Sequence, residues 1–324
     1  KHLNLLQAPI SVIPTNRINW WFKLFLFDML FNVTHTTEYN YNAPVSYCHN
    51  LATLRPRQAM GQQLLDYKIE ITPKPSEISE RVDFFGNYIT RFSIQTEHTA
   101  LKVTTRSKLA RNFSTIYDNL FSDECKRVTL AEALQNLKST DLSILDAKQF
   151  TLESIFIRRA NKTIREYAKA SFRPDRSVFD ATYELMQRIY TDFKFVSGFT
   201  SISTPVAEVM REKKGVCKDF AQIGISCLRS VGLPAKYVSG YIETIPPKGK
   251  EKLVGTDASH AWFSVFIPGY GWVDFDPTNN MIPKNQHIVV GWGRDYYDVP
   301  PLKGVVYGSG KSKLKVSVDI APAS

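Results

Sequence analysis

The stretch from Gly215 to Tyr241, GVCKDFAQIGISCLRSVGLPAKYVSGY, admits few folds. From Asp219 onward, Phe220, Ile223, Ile225, Cys227, Leu228 and Val231 put apolar groups on most faces of a helix. Lys218, Asp219, Gln222 and Arg229 are its only strongly polar residues. Such a helix needs neighbours on nearly every side. Gly232 stops it, with Leu233 and Pro234 just beyond. Its N-terminus therefore falls at Cys217, where unpaired backbone N–H groups and the helix dipole favour a thiolate. Cys227 lies about 15 Å further along the axis, too far to bridge to Cys217, and suits an ordinary core position.

The segments on either side differ in period. Between Leu30 and Leu109, runs such as FNVTHTTEYNYN, QQLLDYKIEITPKP and TALKVTTRSKL alternate β-formers with polar residues between Pro, Gly and Asn signals. This is the pattern of an antiparallel β-sandwich or barrel. From about Asn112 the spacing becomes three and four, in ECKRVTLAEALQNLK, ANKTIREYAKASF and SVFDATYELMQRIYTDF, which predicts helices. Thr204 and Pro205 open another helix to about Glu212, with threonine as cap and proline at the first position. After the cysteine helix come AKYVSGYIET, HAWFSVFIP and GWVDFDPT, the last two joined as a hairpin by Pro268–Gly269–Tyr270–Gly271. The fold class is α+β, with a β-rich unit at 30–110, helices and a catalytic core at 111–324, and residues 1–29 as an extension or apolar N-terminal segment ahead of the main body.

The hairpin brings chemistry together. His260 leads its first strand, and Asp274 and Asp276 share one face of its second. Pairing around the turn places His260 near Asp276. A lone histidine in a strand is ordinarily a hydrogen-bonded structural residue, and an aspartate before proline is ordinarily a turn former. In the order Cys217, His260, Asp276, on a helix start and a hairpin, they form the set that nucleophilic catalysis uses: a thiol, an imidazole base and a carboxylate that fixes the ring.

Bulk properties narrow the rest. The formal charge of +10 comes from basic residues scattered along the chain, such as Arg55, Lys102, Arg111, Arg159 and Lys169, with no nucleic-acid-binding motif among them. No nucleic-acid partner is expected. The four cysteines, at 48, 125, 217 and 227, have neither metal-site spacing nor disulfide-scaffold density. The expectation is therefore no metal, no cofactor and a reducing, cytoplasmic setting. INWWFKLFLFDMLFNV, Ile18 to Val33, is short for a span and carries Lys23 and Asp28, so no stable membrane insertion is expected.

Three blocks, GVCKDFAQIGISCLRSVGLPAKYVSGYIE, SHAWFSVFIPGYGWVDFDPTNN and VVGWGRDYYDVPPLKGVVYGSG, resemble those of bacterial transglutaminase-like enzymes. The segment from about Leu30 to Leu109 is similar to the β-domain that accompanies that core. The resemblance implies a papain-like architecture with Cys217 as nucleophile, His260 as base, Asp276 as orienting acid and Asp274 as a bystander. Lys218 stands where such proteins often have glutamine, and Gln222 where they often have histidine. Lys218 is expected either to favour the thiolate or to face solvent. The implied activity is acyl transfer on a protein or peptide amide through a thioester, resolved by a primary amine or by water. The alternative is a non-catalytic scaffold of the same fold. Lys218, Asp219, Trp262, Trp292 and Tyr296 are the candidates for the cleft or the oxyanion site. Arg294 and Asp295 are expected to be structural, where they could pair and brace its wall.

Overall fold

The computed structural model describes residues 29–112, 125–244, 258–308 and 310–323, so the apolar segment at the N-terminus lies outside the described residues. Five strands come first: β1 (Met29–Ala52), β2 (Gln62–Thr72), β3 (Glu77–Val82), β4 (Tyr88–Ile94) and β5 (His98–Arg111). β1 joins two runs that the sequence pattern separates. Its register slips between Asn40 and Val45, around Pro44, which has no N–H to give the ladder.

The helices are α1 (Leu130–Asn136), α2 (Leu142–Lys148), α3 (Lys162–Lys169), α4 (Val178–Asp192), α5 (Val206–Glu212) and α6 (Cys217–Ser230). Two-residue strands β6 (Lys194–Phe195) and β7 (Lys214–Gly215) pair in parallel before α6. Thr129 and Glu132 form a reciprocal capping box on α1, and Asn161 and Ser177 cap α3 and α4. α5 departs from expectation in its cap. Pro205 is the cap residue, while the Thr204 hydroxyl accepts from Ser201 N–H in the preceding turn. Among the described residues no helix is long and apolar enough to cross a membrane.

Strands β8 (Ala235–Ile242), β9 (Ala258–Ile267), β10 (Gly271–Phe275) and β11 (His287–Gly293) form a second sheet in the order β10-β9-β8-β11. β9 and β10 are the expected hairpin, with Phe263 opposite Phe275 and Ile267 opposite Gly271. α6 lies against this sheet so closely that a Cβ on Gly224 would come 2.4 Å from the Phe263 ring. Ala221, Ile225 and Leu228 of the helix join Phe263, Val265 and Phe275 in one core.

The chain then leaves the core. β12 (Leu302–Gly308) and β13 (Ser312–Pro322) both pair with β1, giving a seven-stranded antiparallel sheet. The 111–324 segment is thus not a single structural unit, because residues 302–322 complete the sheet begun at residue 29. Alternation in β13 explains it: Val318 and Ile320 bury against Phe31 and Val33 of β1, and this cluster extends to Tyr241, Ile288 and Val290 of the second sheet. A further cluster, with Phe92, Ile94, Leu101 and Val103, packs strands β1, β4 and β5 of the first sheet together.

The exposed edge of the second sheet is closed by side chains. The Gln62 amide donates to Val289 C=O at 2.7 Å and accepts from Val289 N–H at 2.9 Å. Asn87 does the same for Trp292, at 2.8 and 3.0 Å. Two amides stand in for a missing neighbour strand beside β11, where the ladder to β8 is bulged.

Candidate active site

α6 begins at Cys217, whose side chain is half-buried, whereas Cys48, Cys125 and Cys227 are buried. The first N–H groups of a helix point out of its N-terminus, so the thiol sits at the positive end of the helix dipole, although Asp219 N–H already bonds Val216 C=O at 2.9 Å. Asp219 organises this end: its Oδ2 accepts from Val216 N–H at 2.9 Å and from the Thr200 hydroxyl. Asp219 is therefore a cap. Lys218 neither points at the thiol nor faces solvent. It is buried, with Nζ 2.8 Å from Asp219 Oδ1 and donating to Ser201 C=O at 2.9 Å.

The hairpin supplies the partners. His260 Nε2 donates to Asp276 Oδ2 at 2.7 Å, and the Cys217 thiol lies close enough to act electrostatically on the His260 ring. Burial alone would lower the His260 pKa, but Asp276 and Cys217 outweigh it and raise it well above the ordinary imidazole value. Asp276 is fully buried and saturated with donors. Oδ2 also accepts from His287 Nε2 at 2.9 Å and Asn279 Nδ2 at 2.8 Å, while Oδ1 accepts the backbone N–H groups of Thr278 and Asn279. Burial would raise its carboxyl, and the two histidines more than reverse that, holding it below the usual carboxylate range.

His287 is the residue that sequence reasoning missed. Gln222 removes one possible second histidine from the site. The second comes instead from the start of β11 and acts on the carboxylate. Burial lowers the His287 pKa despite Asp276, so it is neutral, its Nε2–H donating and its buried Nδ1 without a partner. Gln222 is buried, its Oε1 3.5 Å from Tyr296 N–H.

The polar atoms of His260, Asp276 and His287 converge within 4.8 Å. Separations of 2.7 and 2.9 Å between imidazole nitrogen and carboxylate oxygen are hydrogen bonds. A tetrahedral ion at about 2.0–2.2 Å from each ligand would push those atoms further apart. The donor set fits a held carboxylate better than a metal centre.

The remaining expected residues divide. Tyr296 lies within electrostatic reach of the Cys217 sulfur, as does Tyr237, whose ring centroid is 6.1 Å from that of Tyr296. Trp262 is fully buried, its Nε1 donating to Asp274 at 2.9 Å and its ring edge-on to His287. Trp292 does not join the thiol. It lines a cavity whose walls do not include Cys217, under the guanidinium of Arg57. Asp274 holds Trp262 rather than His260. Arg294 pairs with Asp298 at 3.0 Å, whereas Asp295, fully buried, accepts from Phe156 and Tyr297 N–H. The two do not pair with each other.

A helix-borne thiol facing a histidine and an aspartate on an antiparallel sheet defines the papain-like, transglutaminase-type class of architecture. Residues 31–110 match the bacterial transglutaminase-like N-terminal region, and residues 165–277 match the transglutaminase-like superfamily core. An uncharacterized protein of Mycobacterium tuberculosis is 39% identical over 300 residues, covering 90% of this chain and 92% of its own length. The crystal structure of a "putative cysteine protease" from Cytophaga hutchinsonii shares the fold, with a TM-score of 0.71 at 22% identity over 91% of each chain. A 73-residue stretch, 22% of this chain, is 34% identical to 11% of the protein-glutamine gamma-glutamyltransferase of Pseudomonas aeruginosa. The chain belongs to the bacterial transglutaminase-like family.

Proposed function

We propose that the protein is a cysteine-dependent acyltransferase acting on side-chain or peptide amides. The observation that carries this reading is the chain of contacts from the half-buried Cys217 through His260 to the donor-saturated Asp276. The Cys217 thiolate attacks the amide carbonyl carbon, and the negative charge forming on oxygen is met by the N–H groups at the start of α6. His260 gives its proton to the nitrogen as the C–N bond breaks, leaving a thioester and neutral imidazole. An incoming primary amine or water then attacks the thioester and passes a proton back to His260 as the thiolate leaves. Tyr296 and Tyr237 flank the sulfur as cleft residues.

The test is incubation of the protein with a peptide library, with and without a primary amine, read by mass spectrometry and ammonia release. Thioester-linked peptide on Cys217, followed by amine-linked or hydrolysed product, is expected. If Cys217 reacts with iodoacetamide no faster than an exposed model thiol and no peptide turns over, the protein is a binding scaffold.

A further inference from the structure

A cavity of about 470 Å³ opens on the face of the four-stranded sheet carrying Lys236, Trp262, Trp272, Asp274, His287 and Trp292. That volume suits a small molecule. Four charged side chains line it, and three are engaged. Asp274 accepts from Trp262 Nε1 at 2.9 Å, Asp146 accepts from Gln149 at 2.9 Å, and Arg111 donates to Gln62 at 3.0 Å. Lys236 is the fourth. It is 6% exposed and has no hydrogen-bond or ion-pair partner among the described residues. Its Nζ lies 3.8 Å from the ring centroid of Trp292 and 4.4 Å from that of Trp272. The indole faces attract the ammonium, but they give its three N–H donors no oxygen to bond. An ammonium this deep, opening only on the cavity, is poorly hydrated, and an anion in the cavity would give its donors an acceptor.

We propose that this cavity binds a small monocarboxylate with a flat apolar body, its carboxylate accepting from Lys236 Nζ and its body lying against the apolar side chains beside the indoles. Met60, Ile282 and Val289 supply the apolar wall beside Trp272 and Trp292. Burial lowers the Lys236 pKa to about 7, only partly opposed by the Asp274 and Asp146 carboxylates and reinforced by Arg57, and a bound anion favours the charged form. The site is distinct from the thiol cleft, since Cys217 does not line it. His287 is the shared wall, touching the cavity and bonding Asp276.

The test is titration of 3-phenylpropionate into the full chain, followed by tryptophan fluorescence, with 3-phenylpropanol as the uncharged control. Saturable quenching by the acid is expected, about tenfold or more tighter than by the alcohol. Lys236→Met, which keeps length and apolar bulk, should lose about the same factor. If that variant does not fold, the acid and alcohol compared on the wild-type protein decide. Cys217→Ala should bind the acid as wild type does, which separates this site from the acyl-transfer reading. The proposal is overturned by no saturable signal, by equal affinity for acid and alcohol, or by loss of binding once Cys217 is carboxamidomethylated.

Discussion

The two ends of α6 carry the same residue type in opposite roles. At the N-terminus Cys217 is half-buried, within electrostatic reach of His260 and placed at the positive end of the helix dipole. Towards the C-terminus Cys227 is wholly buried, and burial pushes its thiol pKa up to about 12. Polar side chains are divided the same way. Lys218 and Asp219 fasten the first turn to Ser201 and Val216, whereas Arg229 closes the last turn by donating to the carbonyls of Leu152, Ala235 and Arg294. On the proposed reading, reactivity belongs to a position on the helix and to what the hairpin brings beside it. The far end is built only to hold.

The strongest test of that contrast is a pair of cysteine variants. Cys217→Ala should abolish turnover with the midpoint of chemical denaturation nearly unchanged. Cys227→Ala should retain turnover per folded molecule and lose about 1–2 kcal/mol of stability from the small cavity it leaves. Iodoacetamide on the native protein should modify Cys217 alone, as peptide mapping would show. Modification of Cys227 at a similar rate would dissolve the distinction.

Asp276→Asn comes next, with kcat falling by up to about 10⁴, whereas Asp274→Asn should cost far less because Asp274 serves Trp262. The pH profile gives the sign. His260 is held above its ordinary pKa by Asp276 and Cys217 against the pull of burial, so the alkaline limb of activity should lie above about 6.5. Without the Asp276 carboxylate, burial weighs more and that limb moves to lower pH. An unmoved limb, or equal losses from both aspartates, would assign the orienting role elsewhere.

At the other end of the helix, Arg229→Met should destabilise by about 3 kcal/mol or more, since three backbone carbonyls lose a charged donor. Turnover normalised to folded protein should hold. A fall in normalised kcat as large as the fall in stability would mean that the two ends of α6 are mechanically coupled.

What the sequence made legible follows the same divide between local and distant determinants. α6 was legible because its periodicity, its Gly232 stop and its first residue all lie within one stretch. The His260–Asp276 contact was legible because a tight turn fixes a hairpin's register. His287 was not, since the segment from Pro277 to Gln286 has no periodicity to say where it returns. Lys218 was ambiguous because its partners, Ser201 C=O and a buried Asp219, are set by the packing of the preceding loop. The return of β12 and β13 to β1 is a pairing across nearly the whole chain, and alternation in Val316, Val318 and Ile320 announces a strand without naming its neighbour.

The smallest effect should come from His287, and it separates positioning from packing. Without its Nε2–H, Asp276 keeps His260, Asn279 and two backbone donors, so His287→Leu should lower kcat by about tenfold or less, with KM unchanged. With one donor fewer, the carboxylate accepts more strongly from His260 and stabilises its imidazolium, so the alkaline limb of activity moves upward by a fraction of a pH unit. His287→Gln restores an N–H donor near the same place and should return both kcat and the limb most of the way to wild type. If the residue only fills space, Leu and Gln would change stability without moving the limb, and the second imidazole would be a structural wall between the catalytic carboxylate and the cavity behind it.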